Sequence, residues 1–302
     1  MFKNIDIPRS YFPIRKDKVF LVLKEEYRED LLEQRIEDME AFLQTHRETS
    51  KYLIGRTPHP SVSLKDEKRM VVRQYSHGGL LRIFTRDLYL FGARSIRELA
   101  LTEKILSRGI PTIQPIGAIH RPVLLLFYKA YLLSLEISGA KDLIQYLQEI
   151  GPHPSRERLL LKRRTIRSAG LLVHQFHEAG FFHGDLQLKN ILVSGEQLFL
   201  IDFDRSYQKD ALTADEKKKN LLRLNRSVEK WKRLGLPITR TDRFRFFRTY
   251  AERDEEMRKT MTKALRTYSL RHLFYRWSWA FQRVLNKQFG VRSREFGVHK
   301  DH

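Results

Sequence analysis

The 302-residue chain has no cysteine. That excludes a disulfide framework and any thiolate metal site, and it fits a reducing compartment. Long apolar runs are also missing. The best candidate, Val123 to Ile137, is interrupted by Lys129 and Glu136 and is too short to span a bilayer. The opening stretch, MFKNIDIPRSYFPIRKDK, lacks the apolar core of a secretory signal. A soluble or peripheral protein is expected. Acidic residues are under-represented, with 36 Asp and Glu against 57 Lys and Arg, a net charge of +21. More than half of that excess lies from Leu221 onward. Such a surface attracts nucleic acid, anionic lipid or an acidic glycan. No zinc-ligand spacing or RNP-like aromatic signature accompanies the charge, so a nucleic-acid partner is not expected. Nothing specifies a protein partner.

What is present is concentrated in residues 181–204, FFHGDLQLKNILVSGEQLFLIDFD. H-x-D-L-x-x-x-N followed by a short hairpin and D-F-x is the polar core of a kinase phosphotransfer site. Phosphoryl transfer needs an oriented hydroxyl, an in-line phosphate and cations that neutralise oxygen charge. Asp185 can accept the hydrogen bond, and later the proton, of an acceptor hydroxyl. Asn190 and Asp202 offer hard oxygen ligands for Mg2+ bound to ATP. The apolar runs Ile191–Val193 and Leu198–Ile201 flank Ser194-Gly195, so two strands would bring the ends of the motif together. An ordinary loop with a buried acid would explain H-x-D alone. It does not explain five typed positions and the strand pattern between them. His183 reads as structural support for this loop, and the remaining histidines form no ligand-spaced cluster.

Along the chain, residues 18–24 read as a strand and Glu25 to His46 as a helix, with Leu31, Leu32, Ile36, Met39, Phe42 and Leu43 on one stripe. Residues 1–50 are expected to form an N-terminal extension. Residues 51–137 read as a mixed lobe. It has a strand at Met70 to Tyr75, a turn at Gly78-Gly79 and an apolar segment Leu80 to Phe84. A helix follows from Ser95 to Ser107, with Ile96, Leu99, Ala100 and Leu106 inward. Short strands at Ile116 to Ile119 and Val123 to Tyr128 come next, and Leu133 to Ile137 reads as a connector. Residues 138–302 read as a helical lobe. Its helices are Ala140 to Ile150, Arg158 to Ala179 (Ile166, Ala169, Val173 and Phe176 in register, Gly180 as the stop) and three segments near 213–234, 241–254 and 255–288. In the first lobe, Arg73 sits where a kinase strand carries its phosphate-binding cation, and Glu98 sits where the pairing helix carboxylate belongs. A surface Arg and a surface Glu are the plainer alternative.

The segments RMVVRQYSHGGLL, DLYLFGARSIRELALTEKILSRGIPT, ISGAKDL, HGDLQLKNIL and LIDFDRS together resemble the lipopolysaccharide kinase family, most of all its 3-deoxy-D-manno-octulosonic acid (Kdo) kinase branch. NLLRLNRSVEKW and RTDRFRFFRTY are similar as well, so the resemblance runs from about Leu53 to Tyr250. It implies an α+β, two-lobed, protein-kinase-like fold with a small β-rich N-lobe and a larger helical C-lobe. It implies transfer of the ATP γ-phosphate to a Kdo hydroxyl of the lipopolysaccharide inner core, on Kdo-lipid A or a related anionic glycolipid. The expected location is peripheral, at the cytoplasmic face of the bacterial inner membrane. Carried over by position, Asp185 is the base, Asn190 and Asp202 the magnesium ligands, Arg73 the phosphate cation and Glu98 its partner.

Three departures from the generic kinase pattern argue against a regulated protein kinase. Gly184 replaces the Arg of H-R-D, Asp204 replaces the Gly of D-F-G, and no A-P-E anchor follows. The phosphate-covering loop is also degenerate: Gly55-Arg56-Thr57-Pro58-His59-Pro60 cannot form G-x-G-x-x-G. In the basic tail, Met257 to Leu285 carries apolar residues at near-helical spacing, with Arg and Lys between them. The bland reading is one core face and one solvated face. The sharper reading places Phe274 to Phe281 on an anionic membrane surface. A heptose kinase or an antibiotic-type kinase stays open, as does a membrane-docked pseudokinase scaffold.

Overall fold

The computed structural model describes residues 5–53, 59–75, 89–90, 93–124, 127–251 and 259. The chain divides into two units, residues 1–250 and 251–302, and the first carries all that follows. It opens with a hairpin of β1 (Tyr11–Lys16) and β2 (Val19–Lys24), turning through Asp17 at φ 53. Only β2 is anticipated from the sequence, because Pro13 and the basic residues of YFPIRK break the alternation of β1. The run VFLVL is continuously apolar since both faces of β2 are covered. Leu21 and Leu23 enter one cluster and Val22 the other.

The single helix expected over Glu25 to His46 is two helices, α1 (Glu25–Glu33) and α2 (Met39–Thr45). Arg35, at φ 56, turns the chain between them, and Asp38 caps α2 by accepting the Ala41 N–H at 3.3 Å. The break lets Leu31, Ile36, Met39 and Phe42 all reach the cluster that lines one sheet face.

Residues 51–135 supply β3 (Lys51–Leu53), β4 (His59–Ser63), β5 (Arg69–Gln74), β6 (Tyr89–Leu90), α3 (Arg94–Ser107), β7 (Pro115–Leu124) and β8 (Phe127–Leu135). The antiparallel sheet runs β1-β2-β7-β8-β5-β4-β3, with β6 also on β8. The hairpin β1–β2 is therefore part of the N-lobe sheet itself. The strands expected at 116–119 and 123–128 are corrected to two long ones. The expected connector from Leu133 begins only after Leu135, because Leu133 still pairs Gly117 and Val72. Helix α3 covers the second sheet face with Ile96 and Leu99. Ala100 is buried as expected, but Ile105 rather than Leu106 is the buried residue of its last turn. The Gly78-Gly79 turn, the Leu80 to Phe84 segment and residues 55–58 lie outside the described residues.

The C-lobe contains β9 (Lys141–Asp142), α4 (Leu143–Ile150), α5 (Arg156–Glu178), β10 (Phe181–Phe182), β11 (Ile191–Ser194), β12 (Gln197–Leu200), β13 (Tyr207–Gln208), α6 (Ala214–Arg233) and α7 (Arg240–Tyr250). Helix α4 starts three residues later than expected of its segment, because Asp142 and Gln145 form a reciprocal capping box. Ile166, Ala169, Val173 and Phe176 are buried along α5, and Gly180 at φ 79 ends it. Lys162 of α5 and Asp242 of α7 form an ion pair at 2.8 Å, with side chains 4% and 5% exposed. The helix expected over 255–288, with its aromatic and basic stripe, falls outside the described residues apart from Lys259.

Candidate active site

The five candidate residues come from four segments. Arg73 lies on β5 and Glu98 on α3. Asp185 and Asn190 lie in the loop between β10 and β11, and Asp202 follows β12. The hairpin β11–β12 pairs Ile191 with Leu200 through Ser194 with Gln197, turning at Gly195. Beyond it, the Ile201 N–H donates to the Asn190 carbonyl at 3.0 Å. The two ends of the motif are thus closed on each other, as the spacing predicts.

Asp202 then adopts φ 69, a left-handed conformation unusual for a residue with a Cβ. Such strain persists where the surroundings over-determine it. Here Phe203 is the anchor. It is buried, stacks on Phe176 of α5 with centroids 5.8 Å apart, and donates its N–H to Glu98 Oε1 at 3.0 Å. The other Glu98 oxygen, Oε2, accepts from Arg73 Nη2 at 2.6 Å and from the Tyr75 hydroxyl. One buried carboxylate therefore joins the strand cation, the helix and the D-F-D turn. Burial raises the Glu98 carboxyl above the ordinary carboxylate value, and the Arg73 charge opposes the rise. Arg73 Nη1 also stands 3.4 Å from Asp202 Oδ1. Burial disfavours the Arg73 charge, yet Glu98, Tyr75 and Asp202 outweigh that and hold the guanidinium protonated.

The catalytic-type loop is fixed from behind. His183 is fully buried, its Nδ1 accepts the Asp185 N–H at 3.0 Å, and its Nε2 lies 3.1 Å from the Ile201 carbonyl. Nε2 must carry the proton in this arrangement. Burial lowers the imidazole to about 4, so the ring is neutral and its Nδ1 stays an acceptor. Asn220 of α6 accepts the His183 N–H at 2.9 Å and donates to the His183 carbonyl at 3.0 Å. The same Asn220 oxygen takes His177 Nε2 at 3.1 Å, and His177 Nδ1 meets the Tyr250 hydroxyl at 2.8 Å.

Gly184 has a steric reason. A Cβ there would lie 2.5 Å from the Asp204 carbonyl oxygen, so the D-F-D turn leaves room for no side chain. The cation absent at position 184 arrives from another helix. Arg223 of α6 donates Nη1 to the Gly184 carbonyl and, at 3.0 Å, to Asp185 Oδ1. Gln187 Nε2 donates to the same Oδ1 at 2.5 Å. Asp185 Oδ2 takes no hydrogen bond among the described residues, and its nearest charge is Lys189 Nζ at 3.8 Å. Asn190 donates Nδ2 to the Asp185 carbonyl at 2.7 Å, leaving its Oδ1 without a protein donor among the described residues.

Asp204 is held by Arg94, at the start of α3, through Nε at 3.0 Å and through Nη2. Continuing the Ser61–Val71 register by two residues sets His59 across from Arg73. Burial and then the Arg73 charge hold the His59 imidazole below its usual value. Arg94, Arg223, Lys189, Asn220, Tyr75 and His59 were not singled out by sequence reasoning. All but His59 stood in the quoted family segments, but only as likeness.

The Lipopolysaccharide kinase (Kdo/WaaP) family model matches residues 55–250. The chain belongs to the lipopolysaccharide kinase (Kdo/WaaP) family. Among curated relatives, 3-deoxy-D-manno-octulosonic acid kinase of Pasteurella multocida is 35% identical over 167 residues, covering 53% of this chain and 65% of that protein. The protein of the same name from Vibrio cholerae serotype O1 is 35% identical over 165 residues, with 53% and 65% covered. That from Xanthomonas campestris pv. campestris is 34% identical over 165 residues, with 53% and 61% covered. The chain thus spans less than two thirds of the length of these relatives. Among solved structures, WaaP in complex with acyl carrier protein aligns with TM-score 0.54 at 21% identity, over 83% of this chain and 97% of that one. The likeness establishes the fold, a protein-kinase-like one, as this family member's sequence implied.

Proposed function

We propose that this chain transfers the γ-phosphate of ATP to a hydroxyl of a Kdo residue in the lipopolysaccharide inner core. The observation that carries the reading is the double engagement of Glu98. It binds Arg73 through one oxygen and the Phe203 N–H through the other, so a phosphate-binding cation and the D-F-D turn face the Asp185 loop as one assembly. Family membership and the Kdo kinase relatives supply the acceptor class.

The roles follow from the free atoms. Asp185 Oδ2 accepts the hydrogen bond of the acceptor hydroxyl. The hydroxyl oxygen forms the new bond to the γ-phosphorus, the bond from phosphorus to the bridging oxygen of ADP breaks, and the hydroxyl proton passes to Asp185. Arg73 faces the phosphates. Asn190 Oδ1 and the half-buried Asp202 carboxylate would hold Mg2+. Among the described residues there is no group of three or more His, Cys, Asp or Glu that could hold a metal. Two oxygen ligands on neighbouring loops suit an ion that keeps waters and phosphate oxygens for its remaining positions. When bound, it neutralises phosphate charge. No helix among the described residues is long and apolar enough to cross a membrane. The excess of basic side chains supports peripheral docking on the anionic cytoplasmic face of the inner membrane, where a lipid-anchored acceptor would be met.

Mass spectrometry of Kdo-lipid A incubated with the purified protein and Mg-ATP tests the reading. A gain of one phosphate localised to Kdo is expected, and Asp185→Asn should abolish it while ATP still binds. Phosphate transfer to heptosylated core or an aminoglycoside, with none to Kdo, would move the acceptor and sink the Kdo assignment.

A further inference from the structure

Asp185 is flanked by two cations to which the roles proposed above give no part. Arg223 approaches Oδ1 at 3.0 Å and Lys189 approaches Oδ2 at 3.8 Å, with side chains 41% and 36% exposed. Their hydrogen bonding is unequal in an informative way. Arg223 commits Nη1 alone, to the Gly184 carbonyl and to Asp185. Its Nε and Nη2 have no partner among the described residues. That edge carries two parallel N–H bonds, the arrangement a carboxylate fits with both oxygens. Lys189 has no hydrogen bond at all among the described residues, only the ion pair on the far side of Asp185.

A guanidinium that served only to neutralise an acid would spend its fork on that acid. Arg94 does so with Asp204, donating from both Nε and Nη2. Arg223 instead turns its Nη1 corner to the loop and to Asp185 Oδ1, and leaves its two-nitrogen edge unengaged on a partly exposed side chain. The geometry points to a carboxylate-recognition site: Arg223 and Lys189 bind the carboxylate of a sugar-acid acceptor and so set its hydroxyl on Asp185 Oδ2.

This inference rests on the Kdo reading and deepens it, because it names the groups that choose a ulosonic acid over a neutral sugar. An acceptor seated there displaces water from both cations, which strengthens its own ion pairs. A neutral sugar of the same shape would cover the Arg223 edge and the Lys189 ammonium and leave their remaining N–H groups without an acceptor, which a charged site rejects.

The test uses the full chain and two probes, the methyl glycoside of Kdo and its methyl ester, titrated by ligand-observed NMR. For the unsubstituted protein the acid should bind roughly tenfold or more tightly than the ester. In Arg223→Gln and Lys189→Met the preference should shrink to within about threefold, with ATP affinity unchanged in both. Arg223→Lys keeps the charge at the loop and guards against a folding artefact. It lacks the two-nitrogen edge, so it should lose most of the preference while matching the parent protein in ATP affinity and circular dichroism. Equal binding of acid and ester by the parent protein, or a preference that survives in both Arg223→Gln and Lys189→Met, overturns the site. Transfer kinetics on Kdo-lipid A separate recognition from positioning: KM should rise more than kcat falls. A fall in kcat alone, with the acid-to-ester ratio unchanged, would make Arg223 a positioning residue and overturn the inference. Arg223-dependent binding of the acid, without phosphate transfer to any Kdo acceptor, would uphold the carboxylate site and fail only the proposed reaction.

Discussion

Arg94 and Asp204 meet end to end, Nε donating to Oδ1 at 3.0 Å and Nη2 to Oδ2. The pair ties the first turn of α3 to the residue two beyond Asp202, so the D-F-D turn is clamped on both flanks, by Arg94 after it and by Glu98 at Phe203. Asp204→Gly restores the generic kinase spelling and is expected to lower kcat by about tenfold or more, since a freed turn no longer holds Asp202 in its left-handed conformation. Arg94→Met should give a loss of the same size, and the double variant should be no worse than either single one. Steady-state kinetics of the three proteins check this. Strictly additive losses would separate the two residues.

Arg73 reaches two carboxylates with two nitrogens, Glu98 at 2.6 Å and Asp202 at 3.4 Å. Lysine has one nitrogen and cannot span both in the same geometry. Arg73→Lys is therefore expected to cut kcat/KM for ATP by about ten- to hundredfold, although lysine is the residue of the generic kinase strand. Unchanged ATP kinetics in that variant would show that the second arm of Arg73 is idle.

Three buried imidazoles predict the pH dependence of stability. Burial lowers His120, His177 and His183 to about 4 each. In the unfolded chain they titrate near the ordinary value of about 6.5. A depressed folded value means that stability is complete above the unfolded value and is lost as pH falls toward the folded one. Between about pH 6.5 and 4, each imidazole should remove up to ~1.4 kcal/mol per pH unit. Urea midpoints measured at pH 7.5, 6.5 and 5.5 should fall progressively below 6.5. In His177→Gln the fall should be shallower. A flat profile through this window would contradict the neutral assignment of all three rings.

The Lys162–Asp242 pair is almost wholly buried, and Lys162 also donates to the Pro237 carbonyl at 2.5 Å. Asp242→Leu strands a buried ammonium and is expected to cost about 3–5 kcal/mol. Adding Lys162→Met should recover most of that loss, because an apolar pair of similar volume needs no desolvation. Chemical denaturation of the single and double variants measures both steps.

The reaction-type residues were legible because their spacing is local: the loop, the hairpin and the D-F-D turn lie within residues 181–204. Helix α5 was legible because one face alone is buried, so its period survives. The β7–β8 hairpin was not, because strands buried on both faces lose their alternation, and VLLLFYKAYLL gives no sign of where one strand ends. The break between α1 and α2 carries no glycine or proline; Arg35 simply takes the left-handed turn. Arg94 and Arg223 escaped notice for a different reason. Each looks like a solvated helix charge, and each finds its partner only across the fold, at Asp204 and at Asp185.

The line of contacts from Tyr250 through His177 and Asn220 to the backbone of His183 has a practical reading for anyone trimming this protein. The stretch that presents Asp185 does not fix its own shape; it borrows it from helices that the ribosome delivers later. A polypeptide released at Leu212 would contain every candidate reaction residue and still lack Asn220 and Tyr250, the two polar plugs that close His177 and His183. A fragment that keeps both plugs runs through Tyr250, where the family match also stops, and the support behind His183 is complete only once α7 is present.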